Sequence, residues 1–265
     1  MSKLIQKAYF SDNIKKRRPH YHDCHQIILI TKGNVEFCIN DRVYSAGKGN
    51  IIIFSRYENH SVNIASESYE RYVLHISPKI ISIENRVYSL LLNRPEGFCN
   101  AVDIKDDLPV FEEQFRRIVK EFCVEDKLSD NMQQLLINQL LIMLCRKLPS
   151  ADYFYDESSE MIYALQRRFE TDFNKQYSLC ELAKEHNVSV STLSHKFKKL
   201  TGTSVMDYLV ACRMAMAKNY LTGTDLSVGE IVEKCGFSDS SNFSRTFLKL
   251  NGMSPTAFRK KCKAE

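Results

Sequence analysis

The chain has 265 residues, enough for two domains with separate cores, and its 44% hydrophobic and 26% charged content is that of a folded globular protein. No apolar run approaches the roughly 18 residues needed to cross a bilayer, and the N-terminal MSKLIQKAYFSDNIKKRRPH lacks the apolar stretch of a secretion signal, so a cytoplasmic protein with no membrane partner is expected. The net charge of +5 is carried from Ser158 onward, where 16 Lys and Arg face 11 Asp and Glu, which points to a polyanionic partner for that part.

The first stretch reads as short β-segments. HQIILI (25–30), VEFCIN (35–40), RVYSA (42–46), NIIIF (50–54) and YVLHI (72–76) are rich in β-branched and aromatic residues. Turn signals separate them at Lys32-Gly33-Asn34, Asn40-Asp41 and Gly47-Lys48-Gly49. Strands so closely spaced predict a small antiparallel barrel or sandwich. Nine cysteines stand singly with no C-x-x-C pair, so neither a disulfide framework nor a structural zinc is expected.

Two runs in this region, PHYHDCHQIILITKGNVEF and AGKGNIIIFSRYENH, resemble the paired motifs of the cupin barrel. In metal-binding cupins, two histidines, a glutamate and a later histidine form an open site. The matching positions here are His20, His22, Gln26 and His60, with a neutral amide in place of the carboxylate. The expectation is therefore a barrel pocket for a small-molecule effector, with no metal and no other cofactor. Arg17, His20, His22, Tyr57, His60, Tyr72 and His75 are the candidate lining residues.

Helical periodicity follows. In LPVFEEQFRRIVKEF (108–122), Val110, Phe111, Phe115, Ile118, Val119 and Phe122 recur at three- and four-residue steps. DNMQQLLINQLLIMLCRKL (130–148) is apolar over a wide face through Leu135, Leu136, Leu140, Met143 and Leu144, which suits a helix packed on the barrel or a homodimer seam. Polar PSADYFYDESS (149–159) reads as a linker. Three segments result: a sensor over 1–100, a helical dimerisation and linker segment over 101–157, and a helical domain over 158–265.

The last segment contains an internal repeat displaced by 50 positions: Phe197, Leu200, Gly202 and Ser204 return as Phe247, Leu250, Gly252 and Ser254. Each copy opens with an S-x-x-E capping box, Ser178 to Glu181 and Ser227 to Glu230. A short apolar-faced helix ends at Asn187 or Gly236, residues that tolerate a left-handed backbone. A serine, Ser189 or Ser238, then precedes a second helix. Helix, tight turn and helix with a polar outer side is the helix-turn-helix plan, here over about 178–200 and 227–250. The outward residues are Ser191, Thr192, Ser194, His195 and Lys198 in one copy, and Ser240, Ser241, Asn242, Ser244 and Arg245 in the other. A connector helix over about 204–222 would span roughly 28 Å at 1.5 Å per residue. That suits two reading heads facing major grooves about 34 Å apart.

These residues, above all GFSDSSNFSRTFLKLNGMSPTAFRK (236–260), resemble the AraC/XylS family of transcription regulators over about 100 residues. The resemblance implies a seven-helix domain that binds double-stranded DNA, base reading at Ser191, Thr192, Ser194 and His195 and at Ser240, Ser241, Asn242 and Arg245, and activation through contact with RNA polymerase. His195 departs from the arginine that many members carry there. Overall, an α+β multidomain protein is expected: a cupin-like antiparallel β-barrel with accessory helices, then an all-α twin helix-turn-helix domain. It is expected to act as an effector-controlled regulator and not as an enzyme, with a sugar the effector class the resemblance suggests. The cupin motifs leave one alternative open, a metal-dependent cupin enzyme fused to a DNA-binding module.

Overall fold

A computed structural model describes residues 4–13, 17–20, 22–39, 42–58, 60–77, 89–92, 99–148 and 157–264. The chain divides into two units, residues 1–156 and 157–265. Of the sequence-predicted linker over 149–159, residues 149–156 lie outside the described residues, whereas 157–159 are not linker but the first turn of a helix.

In the first unit, β1 (Ile5–Ser11), β8 (Glu70–Ile76), β3 (His25–Lys32), β6 (Asn50–Phe54) and β9 (Ala101–Asp103) form one antiparallel sheet in that spatial order. A second sheet runs β2 (Arg17–His20), β7 (His60–Ile64), β4 (Asn34–Ile39) and β5 (Arg42–Gly47). Every predicted strand is present. The additional strands β1, β2 and β9 lie at sheet edges, where one rim meets no partner strand and the apolar signal is weak. β7, HSVNI, is an interior strand, but it alternates too briefly to stand out in sequence.

The order of the sheets explains why β3 reads as a continuous apolar run. Ile28 and Ile30 point to the core between the sheets, with Phe37, Ile39, Ile52, Phe54 and Val73. Ile27 and Leu29 point the other way, into a second core with Ile51, Ile53, Leu74 and Ile76. A strand covered on both faces has no polar side to alternate with. The second core is closed by α1 (Ser89–Leu92), α2 (Leu108–Phe122) and α3 (Ser129–Cys145), which contribute Leu90, Leu91, Phe111, Phe115, Ile118, Leu136, Leu140 and Leu144. Val110 of the expected α2 stripe instead faces solvent at 60% exposure.

The second unit is helical throughout its described residues: α4 (Glu157–Thr171), α5 (Leu179–Glu185), α6 (Val190–Thr201), α7 (Val205–Gly223), α8 (Val228–Lys234), α9 (Ser240–Asn251) and α10 (Pro255–Ala264). α7 is the connector, and it is more than a spacer. Val205, Tyr208, Leu209, Cys212, Met214, Ala215, Ala217 and Leu221 are buried around its whole circumference. A helix apolar on every side belongs inside a domain, so both helix-turn-helix units pack on α7. Aromatic pairs continue the core outward: Phe197 against Phe169 and Tyr208 in the first copy, Phe247 against Phe243 and Phe258 in the second.

Candidate nucleic-acid interface and sensor cavity

The two copies agree in their helix ends. Asn187 closes the first short helix at φ +52° and Gly236 the second at φ +73°. The choice of residue follows from packing. A Cβ on Gly236 would stand 2.4 Å from the backbone oxygen of Asn174, so only glycine fits there. Gly202 and Gly252 end α6 and α9, also left-handed, at φ +74° and +70°.

The N-termini differ from the sequence reading in two ways. The Ser227–Glu230 capping box forms in full, whereas Ser178 makes no side-chain cap on α5, whose first turn is held by the Leu182 N–H to Ser178 carbonyl bond. The spacing permits a capping box, but local rotamers decide whether it closes. α9 is capped by Asp239 and not by Ser238, the Asp239 carboxylate accepting from Ser241 N and Asn242 N at 3.0 and 2.8 Å. Those bonds hold its carboxyl below the usual range. α6 is capped by neutral Ser189, which accepts from Thr192 N at 3.0 Å.

The recognition helices carry the same exposure at every position from 191 to 200 and from 241 to 250. Leu193 and Phe197 are buried, as are Phe243 and Phe247. Ser191, Thr192, His195 and Lys198 are exposed, as are Ser240, Ser241, Asn242 and Arg245, while Ser194 and Ser244 are half-buried. The outer faces therefore present hydroxyl, amide, imidazole, ammonium and guanidinium groups, the donors and acceptors that contact base edges and phosphates. Thr192 also shares a 2.8 Å hydrogen bond with the Ser189 hydroxyl. Arg213 ties the second copy to the rest. The residue is 8% exposed, and its guanidinium donates to the carbonyls of Phe173 and Lys175 at 2.8 and 2.7 Å and lies over the Phe237 ring.

In the first unit, a cavity of about 30 Å³ opens between the sheets. His20, His22, Gln26 and His60 line it with Tyr9, Ile28, Phe37, Tyr69, Arg71 and Val73. Strand register explains the meeting: His20 pairs with His60 across β2 and β7, and Gln26 with His75 across β3 and β8. Gln26 Nε2 lies 2.8 Å from His75 Nε2, and the His75 ring is 4.9 Å from that of His22.

His75 touches Gln26 and His22 but is not itself among the lining residues, and two further expected lining residues lie elsewhere. Tyr72 alternates to the opposite face of β8, where it packs against Phe10 and Phe115. Tyr57 sits in a turn at φ +62°, and its hydroxyl donates to Asp23 at 2.9 Å. The Arg17 side chain is outside the described residues. Tyr69 and Arg71, which the sequence reading missed, line the cavity because they share the parity of Val73 along β8 and its approach. That odd-numbered alternation was the available signal.

Comparison with known proteins follows this division. A model of the AraC-like ligand binding domain matches residues 9–93, and a model of a helix-turn-helix domain matches residues 182–261. The chain is 23% identical over 256 residues to the HTH-type transcriptional activator RhaR of Mannheimia succiniciproducens, covering 91% of this chain and 86% of that protein. It is 24% identical over 260 residues to RhaR of Escherichia coli strain K12, with the same coverage. The crystal structure of ToxT from Vibrio cholerae superposes with a TM-score of 0.64 at 15% identity, over 97% of this chain and 98% of that one. The chain belongs to the AraC family of transcriptional activators, with an N-terminal ligand-binding domain and a C-terminal helix-turn-helix DNA-binding domain.

Proposed function

We propose that this cytoplasmic activator reads its operator with both α6 and α9, and that an effector in the first unit sets how firmly it does so. Base reading falls to Ser191, Thr192, Ser194 and His195, and to Ser240, Ser241, Asn242 and Arg245, while Lys198 and Ser244 contact phosphates. The observation that carries this reading is the identical exposure pattern of the two recognition helices. A decorative repeat would have no reason to keep both outer faces polar at the same positions. The test is binding to the DNA upstream of its own gene and to scrambled DNA across a salt series. Affinity for the true site should fall steeply with salt, log K against log[salt] having a slope of about −0.9 per phosphate neutralised. Salt-indifferent or absent binding at low salt would sink the reading.

The three functional segments of this proposal are a sensor over 1–100, a dimerisation layer over 101–157 and the DNA-binding domain over 158–265. A homodimer is supported by α3, whose apolar residues divide between two faces. Leu136, Leu140 and Leu144 enter the core, while Met132, Leu135 and Ile142, with Leu128 at the N-cap, form an exposed stripe at helical spacing. A second copy of the same stripe is its occupant. Leu135→Glu, at 63% exposed, should shift the protein from dimer to monomer in analytical ultracentrifugation without lowering its melting temperature. An unchanged dimer would place the seam elsewhere. RNA polymerase is the remaining partner, engaged when the protein is held at a promoter.

A further inference from the structure

We infer that the loop between α4 and α5, residues 172–178, sets the angle and spacing of the second recognition helix relative to the first, with Arg213 and Gln176 as its positioning residues. The inference rests on the reading that α6 and α9 both contact the operator, and it names what holds them in register for two successive grooves.

The loop is built into the first copy. Tyr177 packs on Phe169 at 5.0 Å between ring centroids, and Phe169 in turn lies 6.4 Å from Phe197 of α6. The Tyr177 hydroxyl donates to the Asp172 carbonyl at 3.2 Å, which closes the loop on itself. Arg168 lies over the Tyr177 ring and pairs with Glu185 of α5. The loop therefore moves with α5 and α6.

Its other side is docked on the second copy. Gln176 Nε2 donates to the Gly236 carbonyl at 3.0 Å. Gly236 is buried, so close to the Asn174 backbone that a Cβ would overlap the Asn174 carbonyl oxygen. Arg213 of α7 joins the two sides. Its Nε and Nη2 donate to the Phe173 and Lys175 carbonyls, and the guanidinium lies 5.5 Å from the centre of the Phe237 ring. A guanidinium holds its donors in a fixed fork, so it fixes the direction of the loop as well as its distance. Phe237 packs edge-on against Phe243 of α9 at 5.3 Å. Contacts thus run without a break from Phe197 on one recognition helix to Phe243 on the other.

The repeat provides an internal control. Asn187 holds in the first copy the place that Gly236 holds in the second, with the same left-handed backbone. Asn187 is exposed, whereas Gly236 is buried under the loop. The turn alone asks for a positive φ, which asparagine supplies. The missing side chain at 236 serves the docking, so the second turn is a docking point and the first is not. Apolar packing on α7 is non-directional and fixes separation better than angle. The hydrogen bonds from Arg213 and Gln176 are directional, and they restrain the swing of α8 and α9 about their joint with α7.

The test uses the full-length protein and an operator that it selects from random-sequence duplex DNA, beside the same operator with one base pair inserted between the two contacted segments. That insertion moves the second groove by about 3.4 Å and turns it by about 35°. The wild type should bind the lengthened operator about tenfold more weakly or worse, the usual cost of losing a good base contact. Gln176→Ala removes the amide, and Arg213→Lys keeps the charge without the fork, so each should narrow that ratio to about threefold or less. Gln176 is exposed, and its variant should keep the wild-type melting temperature. Residues with only a structural role would weaken both operators equally. A ratio unchanged in both variants therefore overturns the proposal. A wild type that binds both operators equally, or selects none, overturns the twin-helix reading together with this one. A spacing-sensitive wild type with equally sensitive variants leaves that reading standing while this one falls.

Discussion

Phe247→Ala should lower the stability of the DNA-binding unit by about 3–5 kcal/mol, the usual cost of truncating a fully buried phenylalanine. Phe247 is 0% exposed and stands between the Phe243 and Phe258 rings, at 5.9 and 5.6 Å between centroids. Its loss removes apolar burial and two aromatic contacts at once, and α9 and α10 meet across the cavity that remains. A domain of this size has roughly 5–15 kcal/mol of stability in total, so the variant should melt at least 12 °C lower. Leu248→Ala is the control. Leu248 is the next residue and 50% exposed, so its truncation should change stability by no more than about 0.5 kcal/mol. Thermal unfolding of the two variants, followed by circular dichroism, reads both numbers. Equal losses would mean that α9 does not present the face described.

Arg245→Ala should weaken binding to the operator by about 1–3 kcal/mol, roughly 5- to 150-fold, and relax preference at one base position. Arg245 is exposed on the outer face of α9, two residues before buried Phe247, so its removal should leave the fold unchanged. Arginine can hold guanine through two parallel hydrogen bonds, and no shorter side chain at this position replaces them. The equivalent position of α6 is His195, with fewer donors and a shorter reach, so His195→Ala should cost less. Asp239 adds a second asymmetry. Its carboxylate caps α9 and offsets the positive end of that helix, while Ser189 leaves the end of α6 uncompensated. A binding titration against the operator and single-base variants separates the outcomes. A uniform loss on every sequence, with a shallower salt slope, would make Arg245 a phosphate contact instead.

The helix-turn-helix repeat was legible because its signals are local. Asn187, Gly236, Gly202 and Gly252 occupy left-handed positions where few other residues are comfortable, and a cap or a heptad-like stripe is written within a dozen residues. The same holds for α2, whose Phe111, Phe115 and Ile118 face the core as the periodicity predicts. Locality also sets the limit. The sequence shows a capping box at Ser178 that does not close, and places a serine where Asp239 does the capping.

The cavity between the sheets is a different case. Its histidines lie on β2, on the bend that follows it and on β7, and only pairing between strands distant in sequence brings His20 to His60. The alternation of β8 decides that Tyr72 turns to the helices while Tyr69 and Arg71 face the cavity. The apolar surface of α3 likewise splits into a buried stripe and an exposed one only once a sheet lies beneath one of them. Length, charge placement, the repeat and its turn residues were thus determined by the sequence, because each depends on neighbours a few residues away. Which groups share a cavity, and which apolar face is left exposed, depended on contacts across the sheets, and those exist only when the chain is folded.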